Sequence, residues 1–326
     1  MSEKVRIGVI GVGHLGQHHA RLLAGLDNVA LAGIVDINAS RAQEIAAKYG
    51  ARTFANTSDL VGYVDAVTIA TPTVTHIDIA MPFIEAGVAV LIEKPLAAGL
   101  DEADRLLEAA ARRGTIVATG HTERFNPAVA AALPLVTSPR FVEIHRLGTF
   151  PERSLDIDVI FDLMIHDLDL LLTVAGSGVV AIDAVGVNVL TPRVDIANAR
   201  IRFASGCIAN VTASRISRDR VRKARFFSHD AYVSIDYATQ EVEVYRLIPH
   251  PSTLARGGSV EGQDVPRPTI QGGRLEVAND EPLRVELADF ADAVRSGRPA
   301  GVTGHDGRAA LALATRVADL IATQPQ

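Results

Sequence analysis

Residues 5–23, VRIGVIGVGHLGQHHARLL, pass from a β-branched apolar run through three glycines into an Ala/Leu-rich run. Gly11, Gly13 and Gly16 have the spacing G-x-G-x-x-G, a weak signal by itself. Here a predicted strand precedes the glycines, a predicted helix follows them, and Asp36 closes the next strand 20 residues after Gly16. That context is the start of a βαβ unit that binds a dinucleotide. Gly11 permits the tight turn, Gly13 lets backbone N–H groups approach a pyrophosphate, and Gly16 allows the helix to pack closely, with the helix N-terminus favouring the anion. Asp36 can accept both ribose hydroxyls of NAD and would repel a 2′-phosphate, so NAD is favoured over NADP. Two features compete: Asp36 could instead cap the following helix, and Arg41 could pair with a 2′-phosphate. The cofactor residues read from this segment are Gly11, Gly13, His14, Leu15, Gly16, Asp36, Ile37 and Arg41. His14 is placed either on the cofactor or toward solvent.

Outward from this turn, β-branched runs at 5–11, 29–36, 65–71, 88–93 and 115–120 alternate with helical patterns near 15–25, 38–48, 74–86 and 99–113. Runs apolar on both faces, joined by helices, predict a doubly wound parallel sheet covered on both sides. After residue 121 the pattern changes. Asn126 and Pro127 start a linker helix, and strands then cluster without helices between them, at 140–148, 181–190, 196–204, 207–216, 224–228, 231–237 and 241–248. Such a cluster predicts a large, mostly antiparallel sheet in an α+β domain. Residues 249–273 read as one long irregular stretch rich in Pro and Gly, and two helices follow near 282–296 and 305–323. The fold class is thus α/β: a Rossmann domain over 1–123 and an α+β domain for substrate and oligomerisation over 124–326.

The bulk composition agrees. A chain of 326 residues exceeds the usual growth of one core, so two domains are expected. With 48% hydrophobic and 21% charged residues it reads as an ordinary globular protein rather than a disordered one. The net charge of -6 argues against nucleic-acid or anionic-membrane partners, leaving small molecules. No apolar run is long enough to span a bilayer. A single cysteine, Cys207, makes no intrachain disulfide and fits a reducing cytoplasm. None of the ten histidines has metal-ligand spacing, so no metal is expected. A sheet with one face free of helices predicts a homodimer or homotetramer through the C-terminal sheet.

A Rossmann domain does not name a reaction; the acid–base residues must. Lys94 follows a buried strand in VLIEKPLAAGL, at the carboxyl end of the sheet where ligands collect. It is one of only four lysines among 32 basic residues. Unlike arginine, a lysine can lower its pKa, so it can hydrogen-bond a reacting hydroxyl or pass a proton. In FDLMIHDLDLLL (161–172), Asp162, His166 and Asp169 recur at helical spacing and give one polar stripe on an oily helix, with Asp167 off it. If the stripe faces the nicotinamide, His166 can take a hydroxyl proton, with Asp162 one turn away to orient it or hold a substrate hydroxyl. Asp167 and Asp169 read as structural, in a buried polar network or on a solvent-facing edge.

In order and spacing, GVIGVGHLG, ATPTVTH (70–76), EKP (93–95), GHTERFNP (120–127) and the D-x-x-x-H of 162–166 resemble the glucose-fructose oxidoreductase, inositol dehydrogenase and rhizopine-catabolism (Gfo/Idh/MocA) family, over essentially the whole chain. The resemblance implies an NAD(P)-dependent dehydrogenase acting on CH–OH donors. It makes Lys94 and His166 the proton-transfer residues and Asp162 their accompanying carboxylate. It also implies that Ala70, Thr71, Pro72, His76, Glu93 and Lys94 lie along the dinucleotide, with Arg124 and Asn126 toward substrate. Residues 140–172 depart from the common form, with Val159–Ile160–Phe161 and Met164 where glycines usually stand. They look instead like the branch that oxidises the 3-hydroxyl of UDP-N-acetylglucosamine. Independently of resemblance, Arg215, Arg218, Arg220, Arg222, Lys223 and Arg225 crowd eleven residues of an acidic chain. With Arg146 and Arg153 they are candidates to hold a diphosphate, since arginine's planar fork suits phosphate oxygens; a solvated surface or subunit contact is the alternative. The competing functions are dehydrogenation of a free polyol or simple sugar, and a noncatalytic NAD-binding sensor.

Overall fold

The computed structural model of the chain describes residues 4–150, 157–248 and 268–323. Six strands form the first sheet: β1 (Val5–Ile10), β2 (Val29–Val35), β3 (Arg52–Thr53), β4 (Ala66–Ile69), β5 (Ala89–Glu93) and β6 (Val117–Gly120). All neighbours are parallel and the order is β3-β2-β1-β4-β5-β6. The crossovers are α1 (Gly16–Ala24), α2 (Ala39–Tyr49), α3 (His76–Glu85) and α4 (Leu100–Arg113). Parallel pairing demands such crossovers, and the order reverses at β1, so the β1–α1 turn sits at the switch point where ligands bind.

The second sheet has eight strands. After the short α5 (Pro127–Ala132) come β7 (Phe141–Leu147), then α6 (Ile165–Ala175), β8 (Val179–Val187), β9 (Ile196–Phe203), β10 (Ile208–Ser214), β11 (Val221–Phe227), β12 (Ala231–Asp236), β13 (Glu241–Ile248) and β14 (Thr269–Leu275). Their order is β14-β13-β12-β11-β7-β10-β9-β8. Only β7 and β10 pair in parallel. The alternating burial of β7, with Val142, Ile144 and Arg146 inward, is that of a sheet covered on one face.

Strand β14 corrects the irregular reading of 249–273 at its C-terminal end; the rest of that stretch, 249–267, lies outside the described residues. Its sequence, TIQGGRL, hides the strand behind two glycines. A Cβ at Gly272 would stand 1.9 Å from the Val244 carbonyl oxygen, so the close approach to β13 admits no side chain there.

The last two helices, α7 (Pro282–Ser296) and α8 (Gly304–Ala322), follow β14. Residues 280–318 form one unit with 1–126, while 127–279 and 319–326 form the other. The single cut at 123/124 expected from sequence is therefore corrected: the chain returns to its first unit. Leu287, Phe290, Ala291 and Ala293 of α7 share one core with Val5, Ile7 and Val9 of β1 and Leu23 of α1. That apolar stripe needs a partner, and the face of α1 and β1 supplies it. Among the described residues no helix is long and apolar enough to cross a membrane, and no group of acidic, His and Cys side chains could hold a metal.

Candidate active site

In the first unit, Gly11 takes φ +81° as β1 turns toward α1. A Cβ at Gly16 would lie 1.7 Å from the Gly11 carbonyl oxygen, so turn and helix touch there only because residue 16 has no side chain. Over Gly13 a Cβ would meet nothing within 4 Å, which leaves the backbone uncovered. His14, Leu15 and Ile37 are exposed around the turn. Asp36 accepts the Val12 N–H at 2.7 Å and the Asn38 N–H at 2.8 Å, fixing its carboxylate beside the glycines. The cap of α2 is Asn38, whose side chain accepts the Arg41 N–H, rather than Asp36. Arg41 is held by the Val12 carbonyl at 3.2 Å, Gln17 at 2.7 Å and Glu44 at 2.8 Å.

Two further loops leave the same ends of the parallel strands. Ala70 and Thr71 follow β4, and Lys94 follows β5 half-buried. His76 joins these loops: its ring nitrogens lie 3.0 Å from the Thr71 carbonyl oxygen and 3.1 Å from that of Pro95. Burial pushes its imidazole below the ordinary histidine range, so the ring is neutral and donates to one of the two. Thr75 donates its hydroxyl toward the Pro72 carbonyl and Thr71, tightening the first loop.

Sequence patterning did not find the partner of Glu93. Its buried carboxylate lies 2.9 Å from His19 Nε2 and accepts the Lys94 N–H at 3.3 Å. Burial works against ionisation, but His19 and the Lys94 side outweigh it and hold this carboxyl below its usual range. The place of His19 on the buried face of α1, three residues after Gly16, was the available signal. Glu93 thus braces the loop of Lys94 from beneath. Arg124 lies 3.3 Å from Asp306, Thr122 donates to Glu286, and Asn126 is buried.

In the second unit, the D-x-x-x-H segment opens with a wide π-type turn, Ile160–Met164, before α6. π turns inside helices mark functional segments more often than chance. From Met164 to Leu171 every residue is buried except His166, and Asp162 in the π turn is also partly exposed. The polar stripe is therefore these two residues; Asp169, expected on it, is 1% exposed.

Two arginines read as candidates for a diphosphate are buried instead. Arg146 forks onto Asp167 through Nε and Nη2, both at 2.8 Å, and stacks 5.3 Å over the Tyr237 ring. Arg215 reaches Asp195 at 2.8 Å, the Ile157 carbonyl at 2.7 Å and Thr191 at 3.0 Å. Both guanidiniums anchor the helix that carries His166: Arg146 through the next residue, Arg215 through the chain entering the π turn. Asp158 adds a third tie by accepting the Val194 N–H. Arg153 lies outside the described residues.

A switch-point turn shaped for a dinucleotide, with a lysine loop at the sheet ends and a separate helix exposing one histidine, defines a dinucleotide-dependent oxidoreductase. Comparison with known proteins agrees. The profile described as "Oxidoreductase family, NAD-binding Rossmann fold" matches residues 5–121, and the "GFO/IDH/MocA C-terminal domain" matches residues 140–233. The chain belongs to the Gfo/Idh/MocA oxidoreductase family. It is 41% identical to a UDP-N-acetylglucosamine 3-dehydrogenase of Acidithiobacillus ferrooxidans over 96% of each chain. A solved structure of the enzyme of that name from the same organism superposes with a TM-score of 0.88 at 39% identity, covering 98% of both chains. Inositol 2-dehydrogenase 3 of Saccharopolyspora erythraea is 28% identical over 95% of this chain and 90% of its own.

Proposed function

We propose that this protein oxidises a ring secondary alcohol of a nucleotide sugar, the 3-hydroxyl of UDP-N-acetylglucosamine, with NAD as hydride acceptor. The observation that carries this reading is the 41% identity to a dehydrogenase of that name along 96% of both chains. The uncovered backbone at Gly13 and the carboxylate of Asp36, pinned by two backbone N–H groups, fit a dinucleotide. NAD rather than NADP is favoured because Asp36 stands beside the turn and Arg41 is already occupied by Val12, Gln17 and Glu44. NAD, when bound, supplies the carbon that accepts hydride.

Lys94 donates a hydrogen bond to the reacting hydroxyl and steadies the oxygen as negative charge develops. His166 accepts the hydroxyl proton, and Asp162 orients it or holds a neighbouring substrate hydroxyl. Glu93, braced by His19, keeps the lysine loop in place. Free polyols are the second reading, supported by the inositol dehydrogenase relative.

The test is turnover of UDP-N-acetylglucosamine, N-acetylglucosamine and myo-inositol with NAD or NADP, read from the reduced nicotinamide band near ~340 nm and by mass spectrometry of the keto sugar. Lys94→Met and His166→Gln should each lower kcat by about 10²- to 10⁴-fold with NADH binding retained. Turnover of inositol alone, or variants as active as wild type, would overturn the proposal.

A further inference from the structure

With Arg146 and Arg215 committed inside the fold, the cations left at the surface of this segment stand out. Lys223 pairs with Asp236 and Arg225 with Glu143. Arg218, Arg220 and Arg222 are exposed, and among the described residues none has a hydrogen-bonding or ionic partner for its side chain. Asp219 is the one acid among residues 215–225.

The position of Arg222 is informative. On β11, Phe226 and Ala224 face the covered side of the sheet, opposite Val142 and Ile144 of β7. Arg222 is next in that alternation and pairs in register with Arg146. Arg146 is 4% exposed beneath α6, yet Arg222, one strand spacing of about 4.8 Å away, is open to solvent. The elements over this face shield Arg146 and leave Arg222 open. Arg222 therefore stands at the lip of the covered face, in the row whose Arg146 grips Asp167, the residue after His166. Arg220 and Arg218 precede it in the connection from β10, where the Ser217 N–H bonds the Gly148 carbonyl just past β7.

We propose that Arg222, assisted by Arg218 and Arg220, grips the diphosphate of a nucleotide-sugar substrate. This rests on the nucleotide-sugar reading above and replaces Arg146 and Arg215 as its phosphate ligands. Planar, multiply donating cations that have no carboxylate of their own suit a diphosphate, and these three meet that description where the buried pair does not.

The test is calorimetric binding of UDP and of uridine to the whole protein with NADH present, comparing wild type, Arg222→Gln, Arg222→Lys and the double change Arg218→Gln/Arg220→Gln. Arg222→Gln should weaken UDP about ten- to hundredfold, the loss expected of charge-assisted hydrogen bonds. Uridine and NADH binding should not move, and the lysine variant should recover part of the loss. KM for UDP-N-acetylglucosamine should rise in step while kcat holds. If wild type binds UDP and every variant binds it equally well, the grip is elsewhere and the proposal fails alone. If wild type does not bind UDP, the nucleotide-sugar reading falls and takes this proposal with it.

Discussion

Replacing Asp167 with asparagine isolates what holds the His166 helix. The Asp167 side chain is 1% exposed and its partner Arg146 is 5% exposed, so neither charge has water to fall back on. Both carboxylate oxygens are used, each at 2.8 Å from a guanidinium nitrogen. The amide of asparagine keeps the volume but leaves the arginine charge buried, facing at best one good acceptor. Stranding one member of a buried pair costs about 3–5 kcal/mol. At roughly 2–4 °C per kcal/mol for a unit of this size, the thermal midpoint of the second unit should fall by about 6–20 °C. The double change Arg146→Met/Asp167→Leu removes both charges and should recover most of that loss, because well-packed apolar replacements of buried pairs are often neutral or better. Scanning calorimetry with hydrogen exchange at the α6 amides reads both quantities. Activity should fall in Asp167→Asn through kcat more than through KM, since His166 loses its mooring. A midpoint shift under ~2 °C for Asp167→Asn, or a double variant no better than the single, would refute the claim that an unpaired buried charge is the penalty.

The glycine turn and the Arg215 anchor give two more expectations. Gly16→Ala places a Cβ 1.7 Å from the Gly11 carbonyl oxygen, so it should cost at least the ~1–3 kcal/mol of overpacking and abolish saturable NADH fluorescence enhancement; normal titration would mean that the turn can open. At Asp195, burial favours the neutral form, but Arg215 and the N–H groups of Leu190, Thr191 and Val189 outweigh it and hold the carboxyl far below the ordinary range. Its stabilising contribution is therefore full above the unfolded value of about 4 and is lost as pH falls further toward the depressed folded value. Asp195→Asn should be less stable than wild type at pH 7, with the gap in midpoint closing below about pH 4; a gap that stays constant to pH 3 would remove Asp195 from the acid response.

Patterning located nearly every element of the first sheet because each strand is a closed apolar run and each crossover has its own period, so neighbours cannot blur them. It missed the two-residue β3, too short to show a period, and β14, whose glycines erase alternation. The destination of α7 was invisible for another reason: an apolar stripe states that a face is buried, not against what. The arginines are the sharper case. Arg146 is a diphosphate candidate by its planar fork, which suits phosphate oxygens, but Val142, Ile144 and Arg146 share one strand face, and that parity points inward. Parity alone does not decide the matter either, since Arg222 has the same parity in the next strand and is exposed. What separates them is the partner: Asp167, one helix position beyond His166, pairs with Arg146. An acid beside the histidine is thus the feature that turns one arginine into a support for the helix and leaves its neighbour at the surface, as the proposed diphosphate grip requires.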